Sequence, residues 1–484
     1  MSFSNFSEEK TVYNAAGPDQ SLSYSDEFNE LAWTQEEELK ARKKVDSSVL
    51  PLLFLGLLVF QLDRMNLASA LTAGFAKEIH INQATINLGN QLMFMGIVVL
   101  EIPFNLILQR LGPRKWISAQ VCVFGFIATM QVFVKSRAGF LASRLFLGLA
   151  EAGYIPGASY TLSCWYTKRE LAKRVAILFL GMFGGNALSP ILATGILKLA
   201  GRGGLIEGLF TVFVAFMLFL LLPGSPETPR PLLSPGLVHF SKTDRSILSK
   251  RLELDSPERN GVNGARIPFR VVWKTVTHFK RWPHYVSTFC VFSTWSPLTT
   301  YTPSIILALG FDRTAANALS AVGASLALLV AFSIAYISDK TNKRGLAVIL
   351  GQTLYLISLI IAHSVQPHVG RWSRWGLWTL VNAFAVGYHP SHNTWVQLNC
   401  KDSGERSIAV AMWVMSAISG LMVGTQYFQA GDAPRYQTGL RTMIIMVSVG
   451  IATALVQEVV YFAHNRRGKR SPPTDTSEAY VYVL

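Results

Sequence analysis

Charged side chains are scarce in this sequence: Asp, Glu, Lys and Arg make up 15% of its 484 residues, against roughly 25% in an average soluble domain. Cysteine is scarcer. Cys122, Cys164, Cys290 and Cys400 fall in or beside apolar runs with no Cys-x-x-Cys spacing, which argues against a disulfide framework or a zinc site. There is no His-Glu-x-x-His, no phosphate-binding loop and no convincing Gly-x-Ser-x-Gly, so the common hydrolytic and nucleotide-dependent enzymes are disfavoured. The first 47 residues hold no short apolar stretch near Met1, which speaks against a cleavable signal peptide. Acidic residues are outnumbered, 29 against 44 basic ones. In a soluble chain the resulting charge of +15 points to nucleic acid; here its distribution points to a bilayer and no nucleic acid is expected.

What the sequence has in quantity is apolar surface. Half of it is hydrophobic and the mean hydropathy is +0.32. The apolar residues gather in twelve runs near the 20 or so residues that cross a bilayer: 49–73, 86–108, 116–134, 140–162, 174–198, 205–223, 285–309, 315–337, 345–363, 375–397, 407–429 and 442–463. The expected fold is therefore all-α and membrane-embedded, with twelve spans. A Pro-rich, mixed-charge stretch, 225–283, reads as a linker between two six-helix bundles, 48–224 and 284–463, flanked by tails 1–47 and 464–484. A cytoplasmic N-terminus puts 32 Lys and Arg on one side and ten on the other, so both tails are expected in the cytoplasm. Six-plus-six repeats of this kind are common in secondary transporters.

An ionised group at the bilayer centre costs at least about 2.5–3.5 kcal/mol and marks a site or a network. The first half holds five such groups, Asp63, Arg64, Glu101, Arg144 and Glu151, and the second half none deep in a span. Arg144 and Glu151 are seven residues apart, on nearly one helix face but about 10 Å along the axis. That spacing suits two groups lining one cavity, with Glu151 carrying a proton while Arg144 and Arg64 hold an anion. The bland alternative is a network tying the fourth span to the first. Asp63 and Arg64 are adjacent, so one faces a neighbouring helix and the other the cavity; Asp63 is a second candidate proton carrier. Glu101, before Pro103, reads as a structural hydrogen-bonding group. His389 and His392 share a helix face, and with Trp395 they are candidate substrate contacts, although packing is the commoner role.

Several segments together resemble the major facilitator superfamily, and within it the fungal anion:cation symporters related to allantoate permease: LDRMNLASAL (62–71), EIPFNLILQRLGPRKW (101–116), SRLFLGLAEAGYIPGASYTLSCWY (143–166), ISDKTNKRG (337–345), ERSIAVAM (405–412) and DAPRYQTG (432–439). The resemblance implies two six-helix bundles around a cavity that opens alternately to each side. It implies anion binding by Arg64 and Arg144 and proton sensing by Glu151. Arg110, Gly112, Arg114 and Lys115 match the superfamily's gating loop, with Gln109 where an aspartate is common, and Asp339, Lys340 and Arg344 form a second copy.

The expected function is proton-coupled uptake of a small organic anion across the plasma membrane. The proton gradient replaces any cofactor, and a monomer is the expected transport unit. The rival is an exporter of a drug or metabolite with the same fold. Such antiporters carry Gly-Pro-x-x-Gly-Gly in the fifth span, whereas GMFGGNALSPILATG (181–195) has the glycines and Pro190 in another order. A nutrient sensor is disfavoured by the short tails.

Overall fold

The computed structural model describes residues 33–196, 203–236, 238–255, 269–400, 403–470 and 481–484. Among these there is no strand. Twelve rods follow one another in the expected order. The first six are α1 (Leu50–Ala73), α2 (Gln83–Leu111), α3 (Pro113–Met130), α4a (Arg137–Glu151) with α4b (Tyr154–Ser163), α5 (Lys168–Ile196) and α6 (Gly203–Leu221). The second six are α7a (Trp282–Ser293) with α7b (Trp295–Ala308), α8 (Arg313–Thr341), α9 (Arg344–Val365), α10a (Arg371–Phe384) with α10b (His389–Leu398), α11 (Ser403–Gly424) and α12 (Gln437–Arg470). Seven of the rods are long and apolar enough by themselves to cross a membrane. Large apolar side chains such as Val99, Phe126, Phe213, Leu329, Ile445 and Val459 are exposed, which suits hydrocarbon rather than water outside the bundle.

The fourth, seventh and tenth spans, each read as one run, are broken in two. All three restart with a proline in the first turn of the second piece: Pro156, Pro297 and Pro390. There the missing N–H would have had no helical partner, so proline begins a helix at no cost where it could not have continued one. In the fourth span the break is completed by Gly153 at φ +75°, a conformation natural to glycine. The Gly153 N–H donates to Glu101 Oε2 at 2.8 Å, which is the structural role expected for Glu101. Hydropathy alone cannot register such breaks, because the chain stays apolar through them.

In the first half α1 packs on α5 and α6, α2 on α4a, and α3 on α6; in the second, α7a packs on α11 and α12, α8 on α10a, and α9 on α12. A Cβ on Gly148 of α4a would overlap the Met93 carbonyl of α2, so those two backbones touch directly. The halves meet where α5 lies against α8, α2 against α11, and α1 against α7b.

Short connectors make successive rods run in opposite directions. One end of the molecule therefore carries the starts of the odd-numbered rods, and the other, the far end, carries their finishes. At the far end the halves are joined by hydrogen bonds. Asn87 donates to the Phe428 carbonyl at 3.0 Å and accepts from the Tyr301 hydroxyl. Gln83 donates to the same carbonyl at 3.0 Å, Asn90 to Thr300 Oγ1 at 3.2 Å, Asn317 to Thr72 Oγ1 at 2.9 Å and Gln426 to Gln91 at 3.2 Å. Phe428 and Tyr436 stack beneath them, 4.4 Å between centroids.

At the near end the linker is not a bare tether. Its helix Lys242–Asp255 lies against the helix Gln35–Ser48 that precedes α1. Arg251, almost wholly buried, reaches Glu170 of α5 at 3.0 Å, Glu38 at 3.4 Å and the Trp165 carbonyl at 3.1 Å. Arg42 adds a second bond to Glu170 at 3.0 Å, and Lys44 holds Asp244 at 2.6 Å. Burial works to raise the Glu170 carboxyl, but Arg251 and Arg42 outweigh it and leave it below its ordinary value. Asp244 is lowered in the same way, burial being overcome by Lys44 and the Ser241 hydrogen bonds.

Candidate substrate site

Two adjoining clefts lie between the halves, about 490 Å³ and 450 Å³ including the open space at their mouths, with Met65, Trp295 and Thr299 walling both. The first is bounded by Asn186, Asn382, Thr302 and Ser320. The second is bounded by Gln61, Arg64, Asn90, Arg144 and Thr300. One end of the combined space is thus cationic and the other holds neutral hydrogen-bonding groups, with an aromatic wall between them.

Two of the candidate cations therefore share one cavity. Arg64 leaves α1 toward the void, its guanidinium 4.1 Å over the Phe60 ring, and its Nε donates to Glu151 Oε2 at 2.7 Å. Glu151 sits behind it with a side chain 0% exposed and does not itself line the void. Arg144 differs. It is 1% exposed, donates from Nη2 to Asn90 Oδ1 at 2.6 Å, and its Nε and Nη1 have no hydrogen-bond partner among the described residues. A buried guanidinium with open donors at a cavity wall has the hydrogen-bonding capacity to accept an anion, and burying a charge without a counter-ion is strongly unfavourable. Asp63 faces the other way, accepting from Thr211 Oγ1 of α6 at 3.1 Å. The adjacent pair divides as their 100° separation requires.

His389, His392 and Trp395 are placed elsewhere. None of them lines the voids. The His389 ring is sandwiched between Phe292 and Trp413, 4.3 Å from each. His392 bonds His284 at 3.1 Å and lies 3.3 Å from Thr288 Oγ1, and His284 reaches the Tyr461 hydroxyl at 3.1 Å. Trp395 donates from Nε1 to the Val483 carbonyl at 2.9 Å. The spacing that puts the two histidines on one face is real, but that face packs into the second half against α7a and α11. Trp395 instead helps to dock residues 481–484: Asn465 brackets the Tyr482 backbone at 2.7 and 2.9 Å, Tyr482 stacks on Tyr461 at 4.2 Å, and Arg344 N–H donates to the Leu484 carbonyl at 2.7 Å.

The candidate gating residues occupy the near end. Gly112 turns the chain between α2 and α3 at φ +85°, and Arg110 is exposed. Arg114 donates to the Arg230 carbonyl at the start of the linker. The Gln109 side chain lies outside the described residues. In the second copy Arg344 pairs with Asp339 and donates to Ser338 Oγ at 3.1 Å.

Asn90, Thr300, Asn186 and Asn382 were not singled out in the sequence. The signal for Asn90 was present: Gln83, Asn87 and Asn90 recur at helical spacing within an apolar run, a polar stripe that must face protein or cavity.

The family model of the Major Facilitator Superfamily matches residues 53–457. The chain belongs to that superfamily. An uncharacterized transporter of Saccharomyces cerevisiae is 24% identical over 488 residues, covering 98% of this chain and 89% of the relative. The high-affinity nicotinic acid transporter of the same yeast is 25% identical, with 89% and 79% covered. Among solved structures, a bacterial homolog of the human lysosomal transporter Spinster, in its inward-facing and unoccupied conformation, superposes with a TM-score of 0.63 at 14% identity, covering 89% of this chain and 99% of that one. The D-xylose-proton symporter gives 0.61 at 12%, with 84% and 96% covered. The chain is accordingly a multi-pass membrane transporter, not an enzyme.

Proposed function

We propose that this transporter carries a small organic anion by proton-coupled symport with alternating access, as an allantoate permease-like anion:cation symporter of the plasma membrane with both tails in the cytoplasm. The carrying observation is the buried Arg144, two of whose donors have no partner among the described residues, beside Arg64 in the same cavity wall, which is paired with Glu151 behind it. In the closed pair Glu151 neutralises Arg64, leaving one uncompensated cation for one anionic group. A proton on Glu151 releases Arg64, and the site then holds two cations for the cargo. An anion and a proton thus favour each other's binding, which is the coupling a symporter needs. The nicotinic acid transporter among the relatives supports an organic anion as cargo.

The test is uptake of radiolabelled organic anions, nicotinate first, into reconstituted vesicles under an imposed pH gradient. Gradient-driven accumulation by the native chain is expected, with Glu151→Gln reduced to gradient-independent exchange and Arg144→Gln inactive. Uptake that ignores the gradient, with Glu151→Gln behaving as the native chain, overturns the coupling.

A further inference from the structure

Asn90 occupies a position that neither transport nor packing alone explains. Its Oδ1 accepts from Arg144 Nη2 at 2.6 Å, and its Nδ2 donates to Thr300 Oγ1 of the opposite half at 3.2 Å. The direction of this chain is fixed at every link. A guanidinium can only donate, so the amide oxygen faces Arg144. The Thr300 hydroxyl donates to the Ser296 carbonyl at 3.0 Å, so it can only accept from the Asn90 amide. Asn90 is buried, and so is Thr300; no competing water is needed to complete either bond. A single side chain therefore joins the free cation of the cavity to the set of bonds that hold the far end shut.

We propose that Asn90 is the positioning residue that reports occupancy of Arg144 to the far-end seal. This rests on the anion-site reading of Arg144. Nη2 belongs to the guanidinium forks that grip a carboxylate with two prongs. An anion in the cavity draws that nitrogen toward itself and away from Asn90. The amide then loses its fixed orientation, the Thr300 bond weakens, and the far end opens more readily with the site filled. The bias is the difference in Arg144–Asn90 contact between the filled and empty states.

The relay is tested without any ligand, by the distance between spin labels at Lys77 of one half and Ala430 of the other. Both positions are exposed, and the full chain is used with its four cysteines replaced, reconstituted in vesicles. Thr300→Val is expected to raise the odds of far-end opening about fivefold, the effect of one ordinary buried hydrogen bond, and Thr300→Ser to restore the native value. Arg144→Gln is expected to raise them by a similar factor in the native background and by none in Thr300→Val, because the two act through one chain of bonds. Asn90→Ala, in which the same non-additivity is expected, serves where Thr300→Val does not fold. Additive effects of Arg144→Gln and Thr300→Val overturn the relay whatever Arg144 binds. A coupled cycle in a protein whose anion uptake is indifferent to Arg144→Gln supports the relay and removes only the anion-site reading.

Discussion

Arg144 is the place where stability and function are expected to oppose each other. The side chain is buried, and among the described residues only one of its three nitrogens finds a partner. Withdrawing an ion from water carries an effective penalty of several kcal/mol, repaid only with good geometry and full hydrogen bonding. Glu151 lies on the same helix but is already engaged by Arg64 at 2.7 Å. Arg144→Met keeps most of the length and removes the charge, while the Asn90 bond it forfeits is worth about 1 kcal/mol. The empty protein is therefore expected to gain about 1–3 kcal/mol, read as a rise of a few degrees in the unfolding midpoint of detergent-solubilised protein followed by tryptophan fluorescence. An anion at about 100 times its Kd should stabilise the native chain by about 2.7 kcal/mol and the variant not at all. A variant that melts lower than the native chain, or still responds to the anion, refutes the reasoning and makes the guanidinium a structural element.

Three further outcomes follow from geometry outside the cavity. Gly148→Ala should cost about 2 kcal/mol or more, because its methyl meets the Met93 carbonyl rather than a yielding side chain; the unfolding midpoint checks it, with Gly184→Ala, which has room, as the mild control. Arg251→Ala should loosen the linker helix, leaving Glu170 and Glu38 short of a donor at a cost of about 2–3 kcal/mol, seen as faster amide exchange over Lys242–Asp255. Glu170 and Asp244 are both held low in the folded chain, so their contribution is full above the ordinary carboxylate range, about pH 4, and is lost as pH falls through the lower folded values; proteolysis of the linker should accelerate only in that acid window.

The intramembrane charges were legible because a charge inside an apolar run is conspicuous, and the 100° between Asp63 and Arg64 said that they part, though not that Asp63 is the one turned to α6 and Arg64 the one at the cavity. The pairing of Arg64 with Glu151 was not legible, since it depends on how two helices cross. His389 and His392 show the limit of periodicity: it reveals that residues share a face but not what the face looks at. Trp395 sits under a stretch of tail more than 80 residues away, a contact no local pattern encodes. Asn90 and Thr300 escaped attention because neutral polar side chains are frequent in spans, and only their partners set them apart.

The far-end closure has one consequence for energetics in a living membrane. Every bond described there joins amides, hydroxyls or backbone carbonyls; none joins two charged side chains. A transmembrane voltage exerts force only on charge, about 2.3 kcal/mol per elementary charge per 100 mV, so it has nothing to pull on in that closure. Electrical work falls instead on charged groups deeper in the molecule, such as Arg64, Arg144 and Glu151, while the lock itself is indifferent to polarity.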